Sequence, residues 1–215
     1  MKRIYILLFQ LILFTSTAYS QQKFAPENGD RLVLLGNALI ENEQQFGLLE
    51  YRLTNYWPEK HLTFRNIGWS GDTVFGDARS YYTNPPGPYD LLISQIKAAE
   101  PDWLIIGYGN VEAQQGAEGL DLFKNGMNQL LDSVEAIGAK AILLSTIPQI
   151  SAGTENLLQL RNNEYRSYNQ AIKEISLKRK ITFLDVFDAF NTATSAELYE
   201  NNGIHLNEKG YTQLA

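Results

Sequence analysis

Five short apolar runs recur along the chain, and longer segments with helical periodicity separate them. The runs cover residues 32–35, 62–65, 103–107, 141–145 and 181–184. Runs of this length, with little alternation between apolar and polar residues, are typical of strands that are buried on both faces of a parallel sheet. The sequence therefore predicts a five-stranded parallel sheet.

The segments between these runs predict helices at residues 43–56, 90–99, 119–137 and 155–178. The third segment carries its apolar residues three and four positions apart, at Leu120, Phe123, Met127, Leu130, Leu131 and Val134. Regular alternation of strands and helices predicts an α/β fold with three layers, in which helices cover both faces of the sheet.

The length and composition suit one domain. A chain of 215 residues that is 44% hydrophobic can bury a sizeable core. We place the domain at residues 31–215, after a lead-in at 21–30. Its excess of acidic residues argues against a nucleic-acid partner, and the basic group at 178–180 more simply complements the dipole at the end of a helix.

The first twenty residues have the pattern of a secretory signal peptide. Lys2 and Arg3 precede the apolar run "IYILLFQLILF", and the small-residue segment "TSTAYS" follows it. Cleavage after Ser20 would leave Gln21 as the new N-terminus and lower the formal net charge from −6 to −8, because two of the 18 basic residues would be removed. The alternative is an uncleaved anchor.

The sequence contains no cysteine. It therefore has no thiol for lipid attachment, no disulfide and no thiolate metal site. We expect an exported protein, periplasmic or extracellular, that is soluble and has no stable membrane anchor after cleavage.

In open α/β sheets, ligands bind outside the carboxyl ends of the strands, so the residues that follow each strand matter most. Strand one is followed by "GNAL", strand two by "NIGWSGDT" and strand three by "YGNVE", and "NGIHLN" lies near the end of the chain. The order and spacing of these segments resemble the SGNH/GDSL hydrolase family across residues 31–215. The resemblance implies a flavodoxin-like sheet and a serine esterase that needs no cofactor.

In that family a serine follows strand one, a glycine amide and an asparagine bind the oxyanion, and an Asp-x-x-His pair lies near the C-terminus. The family's serine falls on Ala38, which has no oxygen to attack a carbonyl. Its aspartate falls on Asn202, which carries no charge to stabilise an imidazolium. Alignment of the third segment by its glycine places Val111 at the asparagine position, whereas alignment by asparagine selects Asn110.

The family residues that remain are His205 as the catalytic position, with Gly71, Asn110 and Asn37 as oxyanion or binding groups. An oxyanion hole without a nucleophile can still receive a carbonyl, a carboxylate or a sugar hydroxyl. Alternatively, a glycine could be required at position 71 only because the backbone there adopts a conformation that other residues rarely reach. His205 could be a core histidine, although its place in a matched motif favours the pocket.

Several other residues could take part in chemistry. Ser70 or Thr73 could replace the missing nucleophile, although hydroxyls in glycine-rich turns commonly bond the local backbone. Glu112 could act as a base on water or as a helix cap. Asp185 and Asp188 lack a third ligand, so we predict no metal site.

Aromatic residues also cluster around the predicted crevice in sequence, where they could stack on sugar rings or cover the edge of the sheet. They are Trp69, Tyr81, Tyr82, Tyr89 and Tyr108.

Two functions follow from these residues. One is an exported esterase that acts on a small ester or deacylates a glycan, although Ala38 and Asn202 stand at the positions of its serine and aspartate. The other is a non-catalytic module that binds a carbohydrate or an anion. A plain structural or interaction module is a third hypothesis. Because the closing helix expected after the histidine has only about two turns, the sequence also suggests a domain truncated at its C-terminus.

Overall fold

The computed structural model describes residues 23–80, 85–191 and 195–215. The predicted signal peptide and its cleavage site before Gln21 lie outside this part of the chain, as do Tyr81 and Tyr82. Within the described residues, no helix is both long enough and apolar enough to span a membrane.

The five predicted strands form one parallel sheet in the order β2-β1-β3-β4-β5. Each begins and ends within one residue of its prediction: β1 Arg31–Gly36, β2 Thr63–Asn66, β3 Trp103–Gly107, β4 Lys140–Leu144 and β5 Thr182–Leu184. The central strand β3 is buried along its whole length. The edge strand β2 is not buried, which explains why its sequence is the most polar of the five.

In the part of the chain that the structure describes, six α-helices connect and cover the strands: α1 Ala38–Glu41, α2 Leu48–Tyr56, α3 Pro88–Ala99, α4 Leu120–Ala136, α5 Glu155–Arg179 and α6 Glu208–Leu214. Short 3-10 helices lie at Asn42–Gln45, Asp77–Ser80, Glu112–Gly119, Asp188–Phe190 and Ser195–Leu198. The predicted architecture of three layers around a five-stranded parallel sheet is confirmed.

Two apolar cores lie on opposite faces of the sheet. One contains Leu92 of α3, Met127 of α4 and Ile172 of α5. The other contains Ile40 of α1 and Tyr211 of α6, with residues of α2 packed against it. The helices that carry the first and last predicted site segments therefore share one face of the sheet.

The predicted helix at residues 43–56 was wrong in its bounds. The chain turns helical earlier, at Ala38, and then breaks at Gly47, whose φ of +64° begins α2. Glycine adopts this left-handed backbone conformation without the steric cost that a Cβ brings. The early turn matters because it places Ala38 and the residues after it on a helix that starts at the carboxyl end of β1.

Candidate functional site

The carboxyl end of β1 leads directly into α1, and Asn37 caps that helix. Its backbone carbonyl accepts hydrogen bonds from the N–H groups of Ile40 and Glu41, and its side-chain oxygen accepts one from Leu39 N at 3.5 Å. Ala38 is the first helical residue, and its N–H has no acceptor among the described residues. This N–H is one of the orphan donors that every helix start leaves free.

Ala38, Asn110 and His205 line one cavity of about 30 Å³ at this edge of the sheet. Three separate chain segments therefore converge: the start of α1, the loop after β3 and the loop before α6. The rest of the wall is mainly apolar and includes Leu39, Ile147, Ile204, Leu206 and Tyr211, with Asn42 as a further polar residue. This volume corresponds to roughly two water molecules.

Asn202 turns its amide nitrogen towards the His205 ring. Its side-chain oxygen accepts two backbone hydrogen bonds, from Ile204 N at 2.9 Å and His205 N at 3.0 Å. Its amide nitrogen therefore faces the ring and lies 3.3 Å from His205 Nδ1. Because an amide NH₂ can only donate, Nδ1 is the acceptor and the neutral imidazole carries its proton on Nε2. The ring thus presents a donor where a general base needs an acceptor.

The third segment places Asn110, not Val111, at the cavity. The oxygen of the Asn110 side chain accepts a hydrogen bond from the amide of Asn37, which is fully buried. This leaves the Asn110 amide nitrogen free to donate, with no acceptor among the described residues. Val111 is not among the residues that line the cavity. Of the two alignments, the one that selects Asn110 therefore fits the structure.

The glycine-rich loop after β2 packs against α1. Trp69 N donates to Gly36 O at 2.9 Å, and both Ser70 N and Ser70 Oγ donate to the Glu41 carboxylate. Gly71 is exposed with a φ of +77°, so its conformation alone favours glycine. It does not line the cavity, so a role for its N–H in binding stays a prediction.

Thr73 also sits in this loop. Its hydroxyl donates to Asp77 Oδ2 at 2.5 Å and accepts from Phe75 N at 3.2 Å. These are the local bonds expected of a hydroxyl in such a turn, and they do not direct Thr73 toward the cavity.

Glu112 joins the loop after β2 to the loop after β3. One carboxylate oxygen accepts from Val74 N and the other from Gly109 N, both at 2.9 Å. The side chain is buried, and this burial raises the pKa of Glu112 to about 7, although backbone hydrogen bonds to the carboxylate lower it. With both oxygens occupied, Glu112 holds the two loops together.

Glu112 makes stability depend on pH near neutrality. A carboxyl with a higher pKa in the folded than in the unfolded chain contributes fully below its ordinary value of 4.5, and this contribution is lost as the pH rises through about 7. We expect the free energy of unfolding to fall by about 3 kcal/mol across this range. Glu112→Gln should flatten the profile, because an amide does not titrate.

Urea unfolding at pH 5, 6, 7 and 8 measures this slope. Glu118→Gln, at an exposed position, is the matched control and should keep the wild-type profile. Parallel profiles for wild type and Glu112→Gln would contradict the raised pKa.

A buried ion pair lies under the same loops. Arg79 Nε donates to Asp72 Oδ2 at 2.8 Å, and the two side chains are 1% and 0% exposed. The Tyr108 hydroxyl donates to the same carboxylate at 2.7 Å. Arg79 also donates to Ile67 O at 2.8 Å and to the Gln95 side chain. This network gives the loop after β2 a fixed path over the sheet.

The aromatic cluster does not form a common face in the described residues. Tyr108 is buried in the core, and Tyr89 is bonded to Ser133 on α4. Trp69 is 43% exposed and lies under the Arg79 guanidinium at 5.8 Å. Trp69 is therefore the one described member of the cluster with an exposed ring. Among the same residues, no group of three His, Cys, Asp or Glu side chains is arranged to hold a metal ion.

Comparison with known families agrees with this geometry. The model of the GDSL-like Lipase/Acylhydrolase family matches residues 37–213, which include the first, second, third and last site segments. The chain belongs to the GDSL-like lipase/acylhydrolase family. No protein of curated function matches the sequence.

Solved structures of similar fold include members of the SGNH hydrolase type. A catalytic serine-to-alanine mutant of Axe2, an acetylxylan esterase from Geobacillus stearothermophilus, is 19% identical with a TM-score of 0.65, over 88% of this chain and 92% of that chain. A catalytic aspartate-to-alanine mutant of Axe2 is 18% identical with a TM-score of 0.66, over the same shares. LAE5, an alpha/beta hydrolase enzyme from the metagenome of Lake Arreo, is 17% identical with a TM-score of 0.67, over 88% and 93%. These structural similarities establish the SGNH hydrolase fold.

Two polar residues at this GDSL-family site were missed in the sequence. Asn42 lines the cavity, and its amide has no hydrogen-bond partner among the described residues. It lies four residues after Ala38, so the helical spacing of α1 would have placed both on one face. Tyr211 also lines the cavity, and its hydroxyl donates to Leu39 O at 2.7 Å. That bond spans 172 positions and leaves no local signal in the sequence.

Proposed function

We propose that this chain is an exported protein that binds a small acyl or carbohydrate ligand on an SGNH hydrolase fold without serine-esterase turnover. The observation that carries the proposal is the orientation of Asn202, whose amide NH₂ faces His205 Nδ1. A general base for a serine needs a free lone pair on Nε2, and this tautomer places a proton there.

The absence of a hydroxyl at Ala38 supports the same conclusion. The Axe2 mutants described as catalytic replace a serine or an aspartate by alanine. This chain carries alanine after β1 and asparagine three residues before its histidine. A covalent mechanism through residue 38 would lack both a nucleophile and a correctly protonated base. The hydrogen-bond donors around the cavity can hold a ligand without either of these groups.

Ester hydrolysis through another nucleophile is the second candidate. Ser70 Oγ donates to a carboxylate, Glu41, which is the arrangement of a hydroxyl beside a base. The same carboxylate oxygen also accepts from Ser70 N, as it would in a purely structural turn. Ser70 is not among the residues that line the cavity with His205.

An assay on p-nitrophenyl acetate tests the proposal. We expect the purified protein, residues 21–215, to hydrolyse it only at the weak rate left by an oxyanion site, roughly 10³ to 10⁴ above water. Ser70→Ala tests ester hydrolysis through another nucleophile, because it removes the Ser70 hydroxyl.

A wild-type turnover near the enzyme median of about 10 per second would overturn the binding proposal. Loss of such turnover in Ser70→Ala would establish the second candidate in its place.

A further inference from the structure

A second and larger cavity lies at the opposite edge of the sheet from His205. Its volume is about 610 Å³, against about 30 Å³ for the cavity that contains His205. Most of its wall comes from α2, and we call it the α2 groove. The residues that line it are Phe24, Arg52, Leu53, Asn55, Tyr56, Trp57 and Ala215.

The α2 groove is separate from the family site. Trp57 precedes β2, and Phe24 packs against Trp103, the first residue of β3, with 5.1 Å between the ring centroids. The groove therefore lies at the amino ends of the strands, whereas His205 lies at their carboxyl ends. The five residues of β3 alone span about 13 Å between these two edges.

Two aromatic rings form a fixed corner in the groove. Phe24 packs edge-on against Trp57 at 5.3 Å, and Lys60 Nζ lies 5.3 Å from the centre of the same ring. Lys60 is itself held by a hydrogen bond to Pro26 O at 2.6 Å. The Tyr56 ring stands at 80° to Trp57, with 4.6 Å between centroids, and Tyr56 is 75% exposed. An aromatic ring is thus presented to solvent on a rigid support.

α2 adds a donor and an acceptor beside this ring. Asn55 and Tyr56 lie three and four residues after Arg52, so helical spacing places all three on one side of α2. Arg52 makes no hydrogen bond or ion pair among the described residues. Asn55 Nδ2 donates to Tyr51 O at 2.8 Å, which leaves Asn55 Oδ1 as an acceptor.

This combination selects among ligands. A hydroxyl can accept from Arg52 and donate to Asn55, whereas a carboxylate has no proton to donate and an ammonium group is repelled by Arg52. A sugar ring carries hydroxyls at its rim and C–H groups on its faces, and the C–H face can pack on an aromatic ring. The groove also falls within the range of roughly 300–1,000 Å³ that small-ligand sites occupy, which favours a short glycan segment over a protein partner.

We propose that the α2 groove binds a glycan segment, with one sugar ring stacked on Tyr56 and its hydroxyls bonded to Arg52 and Asn55 Oδ1. This site goes beyond the proposed function, because it shares no residue with the cavity that contains His205. It would hold a polysaccharide at one edge of the sheet while the other edge stays open.

Nitrogen-15 NMR on the protein of residues 21–215 tests the inference. The chain has three tryptophans, and each gives its own indole N–H signal. The probes are hexasaccharides of β-1,4-linked xylose, glucose and N-acetylglucosamine. We expect at least one of them to shift the Trp57 signal and to leave the signal of Trp69, at the carboxyl edge, unchanged.

Variants of α2 assign the contact. Tyr56→Ala should weaken binding by about tenfold, as expected when a stacking ring is lost, and Tyr56→Phe should restore most of it because the ring returns. Tyr51→Ala is the matched control, because Tyr51 is a 62% exposed tyrosine of the same helix that does not line the groove. It should bind within about twofold of wild type. Arg52→Ala should also weaken binding, through loss of a charged donor.

No Trp57 shift with any of the three sugars would overturn the inference, as would equal losses in Tyr51→Ala and Tyr56→Ala. A shift of Trp69 in place of Trp57 would move the sugar to the carboxyl edge and overturn it as well. Self-association in sedimentation experiments that Tyr56→Ala abolishes would assign the groove to a second copy of the chain instead. Ester turnover tests the proposed function separately from all of these outcomes.

Discussion

The double variant Ala38→Ser with Asn202→Asp is expected to hydrolyse a small activated ester at least about 10³-fold faster than the wild type. The serine supplies a nucleophile at the start of α1, beside the cavity that also contains His205. The aspartate keeps the bonds from Ile204 N and His205 N and accepts from Nδ1–H, so that Nε2 becomes a base. The two changes together restore the serine and the aspartate of a Ser-His-Asp triad.

The single variants separate this explanation from a general effect of either residue. Ala38→Ser alone should gain little, because the wrong histidine tautomer costs on the order of 10⁴ in turnover. Asn202→Asp alone still has no nucleophile. Triad members act together, so the gain should appear only in the pair.

Turnover and intact-protein mass spectrometry measure the outcome, with an acyl-enzyme at residue 38 as the expected intermediate. A double variant no faster than the single ones would contradict the assignment of residues 38 and 202 to the family's serine and aspartate.

Asp72→Asn is expected to lower the free energy of unfolding by roughly 3 to 5 kcal/mol. The change leaves the Arg79 guanidinium charged and buried without its counter-ion, and an uncompensated buried charge is strongly destabilising. The amide would also face the Tyr108 hydroxyl, which now donates to the carboxylate. For a chain of this size, such a loss corresponds to a fall in Tm of about 10 °C.

Asp132→Asn is the matched control for this prediction. Asp132 pairs with Arg179 at 2.7 Å but is 67% exposed, so its loss should cost no more than about 1 kcal/mol. Thermal and urea unfolding of both variants measure the difference. An Asp72→Asn variant within 1 kcal/mol of wild type would show that Arg79 finds other partners or reaches water.

The sheet could be predicted because strands that are buried in a parallel sheet are apolar along most of their length. This pattern lies within each short segment and needs little information from the rest of the chain. Residues Trp103–Gly107 are apolar and buried throughout, and prediction and structure coincide there. The start of α1 was missed because a four-residue helix has no periodicity of its own to detect. The helix begins at Ala38 because Asn37 caps it, and the helical stretch that follows breaks at Gly47.

Three residues that line the cavity were predicted from the sequence, whereas Asn42 and Tyr211 were not. Ala38 and Asn110 each follow a strand, and His205 came from the family resemblance. Asn202 accepts from Ile204 N and His205 N, two and three positions along the chain, so a local turn sets its orientation. The bond between the side chains of Asn37 and Asn110 joins residues 73 positions apart and leaves no local signal in the sequence. The partnership of Asp72 with Arg79 was equally hidden, because hydropathy assigns charged residues to the surface unless their counter-ions are known.

The bond between Tyr211 and the carbonyl of Leu39 has a consequence for the order of assembly during synthesis. All five strands are complete in the nascent chain once Leu184 has emerged, so the sheet and its first core can form early. The wall that contains His205 cannot form until α6 has been made and has docked on α1. A stalled chain that ends shortly after β5 would therefore carry a nearly complete fold with no binding cavity.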